Sequence, residues 1–117
     1  LSSMVTWLIT QPVTISAQKV LSFETAKAYW AHTGTHQPLE VFYSTNYIGR
    51  NLLTATWVPI SCRLAVKTDT DHTFYSSGNI NLPVEAGKSC AIAFRYTGSS
   101  TESTSYRIDN IVVTTAK

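Results

Sequence analysis

Leu39-Glu40-Val41-Phe42-Tyr43-Ser44 decides how this 117-residue chain is read. Successive side chains of an extended segment point to opposite sides, so Leu39, Val41 and Tyr43 share one face while Glu40 and Ser44 share the other. One apolar face and one polar face make a half-buried strand. Leu21 and Phe23 repeat the pattern opposite Val20, Ser22 and Glu24. Working outward, further short apolar stretches occupy residues 5–9, 55–62, 73–76, 79–82, 89–96 and 105–114, and with 19–24 and 39–45 they give eight strands. Polar turns such as Gln11-Pro12, Asn46 to Asn51, Thr68 to His72 and Glu85-Ala86-Gly87-Lys88 separate them. Thr25 to Ala31, with three alanines, predicts a single helical turn and no more. Thr97 to Thr104, TGSSTEST, is small and polar throughout and is expected to be the most mobile internal loop.

Composition agrees with the pattern. Thr, Val and Ile supply 34 of the 117 residues, and branching at Cβ favours extended backbone. The expected fold is all-β: one antiparallel two-sheet β-sandwich of jelly-roll type over residues 1–117. Leu, Ile, Val and Phe together number 29, enough to build a core and to exclude a disordered chain. Only 14% of residues are charged, against roughly 25% in an average soluble protein. Thirty Ser and Thr side chains hydrogen-bond water instead, a surface typical of extracellular β-proteins. The nine basic residues are scattered and the net charge is only +2, so no nucleic-acid partner is expected. No apolar run approaches the roughly 18 residues of a spanning helix, so no membrane span is expected in this fragment. The opening Leu1-Ser2-Ser3-Met4 has neither the basic nor the apolar region of an export signal, which leaves the compartment open.

Few residues carry chemistry. Cys62 lies on the face of Val58 and Ile60, and Cys90 on the face of Ile92 and Phe94. A bridge would close a 28-residue loop and stabilise by roughly 3 to 4 kcal/mol, yet two buried thiols acting as small hydrophobes is the preferred reading. His32 and His36 stand four apart, a metal spacing on a helix, but Gly34 and Pro38 oppose a helix and two solvated loop histidines are expected. Asp69-Thr70-Asp71-His72 begins like a calcium loop and lacks its remaining ligands, so it reads as a polar turn. There is no G-x-S-x-G, P-loop, G-x-G-x-x-G or H-E-x-x-H, and the chain is expected not to be an enzyme. A hydrolase drawing on Glu24, Glu40, Glu85, Glu102 or Asp109 is the minority reading. Among the aromatics, Trp7 and Trp57 sit in apolar strands and are assigned to the core. Trp30 and Tyr47 lie in loops and are the candidate ligand-binding platforms on which sugar rings stack.

Taken in order, Trp7-Leu8-Ile9-Thr10 with Pro12, Leu21-Ser22-Phe23, Tyr43-Ser44-Thr45-Asn46-Tyr47, Ser77-Gly78-Asn79-Ile80-Asn81-Leu82, Ile92-Ala93-Phe94-Arg95-Tyr96 and Ile108-Asp109-Asn110-Ile111 resemble the choice-of-anchor J domain. That family is related to cleaved-adhesin and, more distantly, MAM domains of secreted bacterial proteins. The resemblance covers nearly the whole chain, with only six residues ahead of Trp7 where such domains commonly have more. It implies a jelly roll that is secreted or at the cell surface, an outer-membrane lipoprotein among the forms, and one module of a longer exported protein. It also implies a structural calcium, falling on Asp109 with Glu24 as partner; the alternative is that Asp109 and Asn110 hydrogen-bond backbone at a bulge in the last strand. The expected function is a non-catalytic binding or adhesion module, most directly toward carbohydrate. Its partners would be a glycan or cell-surface protein and neighbouring domains of the same chain. The competing expectation is a structural spacer that packs on a neighbouring domain and shows an exposed apolar patch when isolated.

Overall fold

A computed structural model describes residues 3–15, 19–32, 37–85, 87–99 and 103–115. Nine strands and no helix appear among them: β1 (Ser3–Ile9), β2 (Val13–Thr14), β3 (Lys19–Ala28), β4 (Leu39–Ser44), β5 (Val58–Pro59), β6 (Tyr75–Ser76), β7 (Ile80–Leu82), β8 (Ser89–Ser99) and β9 (Ser105–Thr115). All pairings are antiparallel. In the first sheet β8 takes β1 and β2 along one edge and β4 on the other, with β5 beyond β4. In the second, β3 lies between β9 on one side and the short β6 and β7 on the other. The two sheets pack face to face as a β-sandwich.

Alternation fills the space between them. Leu39 and Val41 of β4, Cys90, Ile92 and Phe94 of β8, Leu21 and Phe23 of β3 and Leu82 of β7 form one buried cluster. Phe23 and Phe94 meet edge to face across the sandwich, centroids 5.0 Å apart at 89°. Tyr106, Ile108 and Val113 of β9 pack against the same cluster. The change from even to odd positions along β9 is produced by a bulge. Ser22 pairs with Val112 and Glu24 with Asp109, so β9 spends one residue more than β3 between these pairs. Asn110 takes up the extra residue at φ 53°, a left-handed conformation that asparagine tolerates well.

Three sequence expectations change. The helical turn expected over Thr25 to Ala31 does not form, because β3 continues to Ala28 in register with β9 as far as Ser105. Pairing with a long neighbour outweighs the helix preference of three alanines. The strand expected over 55–62 contracts to Val58–Pro59, the part that pairs with Phe42 and Tyr43 of β4. The strand expected at 89–96 runs on to Ser99, held by an unbroken register with β1 from Ile9↔Ala93 to Ser3↔Ser99. Of the loop expected to be most mobile, residues 97–99 therefore belong to a strand, while 100–102 lie outside the described residues.

Candidate functional site

The outward face of the first sheet is built around small residues. Ala91 and Ala93 of β8 alternate with the core residues Cys90, Ile92 and Phe94, so their methyl groups lie on the other face, small and fully buried, and leave room there for large rings. Phe42 of β4 stands opposite Ala93, and Trp7 of β1 stands opposite Arg95. The segment from 45 to 57 then brings two more rings onto the same surface. Tyr47, Trp57, Trp7 and Phe42 follow one another with centroids 5.3, 5.6 and 5.9 Å apart. All three contacts are tilted, between 38° and 43°.

Two asparagines fix that segment. Asn46 Oδ1 accepts from the Ser44 hydroxyl at 2.8 Å and from the Thr56 N–H at 2.7 Å. Asn51 Oδ1 accepts from the Ile48 N–H at 2.8 Å, and its amide donates to the Asn46 carbonyl at 3.1 Å. The Trp57 indole N–H donates to the Leu52 carbonyl at 3.1 Å, which sets the angle of the ring. The bonds of Asn46 and Asn51 and the Trp57 indole bond thus fix the segment that carries Tyr47 and Trp57, and the rings are preset.

A cation and a carboxylate end the row. The Arg95 guanidinium lies 4.7 Å from the Phe42 ring centre and 5.4 Å from that of Trp7. It donates to Glu40 Oε1 at 2.7 Å. Arg95 Nε is buried with no hydrogen-bond partner, and the ring faces beneath the guanidinium offer a cation–π contact instead. Glu40 also borders a cleft of about 580 Å³ whose walls include Gln37, Ser61, Cys62, Arg63 and Asp69. There Arg63 grips Asp69 with two bonds of 2.8 and 2.9 Å and lies 4.7 Å from the Tyr75 ring centre. The Arg63 hydrogen bonds, with the Val66 N–H, hold the Asp69 carboxyl below the usual carboxylate range. Both carboxylates at this cleft are engaged by arginines. The arrangement suits hydrogen bonding to polyhydroxyl ligands beside an aromatic surface.

The residues singled out in the sequence are distributed unevenly. Tyr47 is part of the aromatic row. Trp30 belongs to a second group: its indole donates to the His32 carbonyl at 3.0 Å, and its ring meets those of His32 and Tyr106 at 5.9 and 6.3 Å. The two expected platforms therefore do not form one surface. His32 is not a solvated loop histidine. It is buried, with Nε2 3.0 Å from the Thr97 carbonyl and Nδ1 2.7 Å from the Thr104 hydroxyl. A carbonyl only accepts, so Nε2 carries a proton. His36 and Glu102 lie outside the described residues. Trp7 and Trp57, assigned to the core, are half-buried on the outer face: Trp7 alternates with Leu8, whose partner Phe94 points inward, and Trp57 lies against Trp7 from the 45–57 segment.

Glu24 and Asp109 are direct partners across β3 and β9, as the resemblance placed them. Glu24 Oε1 accepts from the Asn110 amide, and Asp109 Oδ1 accepts the Asn110 N–H at 2.8 Å. These bonds support the bulge. Calcium takes six to eight oxygens, so a calcium implied by the resemblance would draw on these two carboxylates together with carbonyl or water oxygens. Among the described residues no group of three or more His, Cys, Asp or Glu side chains converges. Cys62 and Cys90 are free thiols packed into the core, and burial pushes both thiol pKa values up.

Sequence reasoning missed Phe42, Arg95 and the two pinning asparagines. One signal was available: in Ile92-Ala93-Phe94-Arg95 the alternation that buries Phe94 turns Arg95 outward, to the same side as Glu40. Comparison with known families matches residues 10–117 to one described as Domain of unknown function (DUF5017). The chain belongs to that family. No curated protein and no solved structure matches. The match makes no link to choice-of-anchor J or MAM-type domains, and that resemblance rests on the quoted motifs alone.

Proposed function

We propose that this DUF5017 member is a non-catalytic, extracellular binding or adhesion module that takes carbohydrate on the row Tyr47, Trp57, Trp7 and Phe42. The observation that carries this reading is the preset row itself, bordered by Arg95 and by Glu40, which is also a wall of the 580 Å³ cleft. Ring faces stack on the apolar faces of sugars, while charged and amide groups at the edge take the hydroxyls. A hydroxyl-rich surface with few charges supports placement outside the cell or at its surface. A glycan array tests the proposal. Binding by the unmodified protein that Tyr47→Ala and Trp57→Ala both abolish, and Trp30→Ala leaves intact, is the expected result. No binding, calcium included in the buffer, removes it.

A spacer role has its own supporting observation. Where β1, β2 and β9 border the two sheets, Val5, Leu8, Val13, Ile111 and Val112 are exposed. Two hollows of about 260 and 290 Å³ open along this side. A neighbouring domain of the same chain packing there would cover them, and Leu8→Lys would then weaken the domain contact without touching glycan binding.

A further inference from the structure

We infer that the outer face of the second sheet carries a separate site for a sugar ring bearing a carboxylate, formed by Tyr29, His72 and Arg107 over a floor of two alanines. This deepens the carbohydrate reading, and it uses residues remote in sequence from the aromatic row, so the two are tested independently.

At the end of β3, Ala26 pairs with Arg107 and Ala28 with Ser105, all on the outward face. Methyl groups there leave a hollow of about 200 Å³. Its walls are Tyr29 and His72, whose rings meet at 5.6 Å and 77°. Both hold left-handed backbone, φ 54° and 63°, and neither is glycine. Such a conformation costs roughly 1 to 2 kcal/mol at each ordinary residue. Core packing does not explain the expense, because Tyr29 is 72% exposed. The turn is held in place from below: the His72 N–H donates to the Lys27 carbonyl at 2.9 Å, and neighbouring Asp71 pairs with the buried Lys27 ammonium. Two strained residues are thus fixed edge to face, side by side along the hollow that Ala26, Ala28 and Arg107 also line.

Arg107 supplies the charge. Its guanidinium makes no hydrogen bond or ion pair with any described residue, so its fork is available at the rim. The carboxylate nearest in sequence to His72, that of Asp71, is committed to Lys27. A planar fork matches a carboxylate with two parallel bonds, and the exposed face of Tyr29 provides a surface for the ring that carries it. Small size of the hollow favours one sugar residue, a uronic acid by its chemistry.

Amide chemical shifts of the whole domain, followed by NMR during titration with methyl β-D-glucuronoside, test this. Saturable shifts at Tyr29, His72, Ser105 and Arg107, with dissociation constants of about 1 to 10 mM, are expected for one small ligand. Arg107→Gln should weaken binding about ten-fold, as for a lost charge-assisted bond. Tyr29→Gly should weaken it too while leaving the melting temperature unchanged or higher, since glycine adopts this φ freely. Methyl β-D-glucoside should give no shift, and Tyr47→Ala no effect. Equal response to the glucoside, equal binding of inorganic sulfate that ignores Tyr29→Gly, no shift with the glucuronoside, or a lower melting temperature for Tyr29→Gly would each overturn the assignment.

Discussion

Replacing Phe94 by alanine is the most severe single test of the sandwich. Phe94 sits on the central strand of the first sheet, between Leu8 of β1 and Val41 of β4, and is 1% exposed. Its edge meets Phe23 from the facing sheet. Removing a buried phenyl ring costs about 3 to 5 kcal/mol, transfer and cavity together. Of that, about 0.5 to 1.5 kcal/mol belongs to the edge-to-face contact. A chain of this length has roughly 6 to 18 kcal/mol of stability, so the variant folds with a midpoint lowered by about 10 to 20 °C. Urea unfolding followed by tryptophan fluorescence measures the loss. A cycle of Phe94→Ala, Phe23→Ala and the double variant isolates the contact. A cost below about 1 kcal/mol for Phe94→Ala, or strictly additive single variants, would refute this packing of one sheet on the other.

Three other outcomes follow from buried or paired groups. Burial raises both thiol pKa values, so Cys62 and Cys90 should react slowly with a thiol reagent at neutral pH in the folded protein, and unfolding without reductant should release two thiols per chain; none released would mean a bridge. Tyr106 donates to the Ala65 carbonyl at 2.8 Å, and its hydroxyl pKa is raised, first by burial and then by Tyr96 and Asp69. Stability from a raised group is present below the unfolded pKa and lost above it, so the fold should weaken above about pH 10, and Tyr106→Phe should flatten that loss while costing about 1 kcal/mol at neutral pH. Asp69 and Asp71 are held below their ordinary value, chiefly by hydrogen bonds from Arg63 and Lys27. Their contribution is present above about pH 4 and lost as pH falls, so Asp69→Asn with Asp71→Asn should make acid unfolding less steep, as thermal midpoints across pH 2 to 6 would reveal.

Much of the fold was legible because strand alternation is a local property. Leu39, Val41, Cys90, Ile92 and Phe94 face the core as their spacing demands, and Glu40 faces out. What alternation does not reveal is which side of a strand meets the other sheet when both sides are apolar. Trp7 lies between Thr6 and Leu8 in an apolar run, and only its pairing with Arg95 assigns it to the outside. The same limit applies to β3, whose last turn of sequence looks helical until the long β9 is laid beside it. Adjacency of Glu24 and Asp109 was expected from the family resemblance, whereas the extra residue at Asn110 follows from a register that no local pattern encodes. Burial of His32 depends on Thr97 and Thr104, more than sixty residues away.

The three tryptophans offer the most direct measurement of the central proposal. Trp7 and Trp57 belong to the row on the outer face, and Trp30 to the separate group with His32 and Tyr106. Each indole N–H gives its own signal in a two-dimensional nitrogen–proton spectrum of labelled protein. Titration with the oligosaccharide found on the glycan array should move the Trp57 and Trp7 signals and leave Trp30 in place. Movement of Trp30 alone, or of none of the three at saturating oligosaccharide, would contradict a carbohydrate platform on this face.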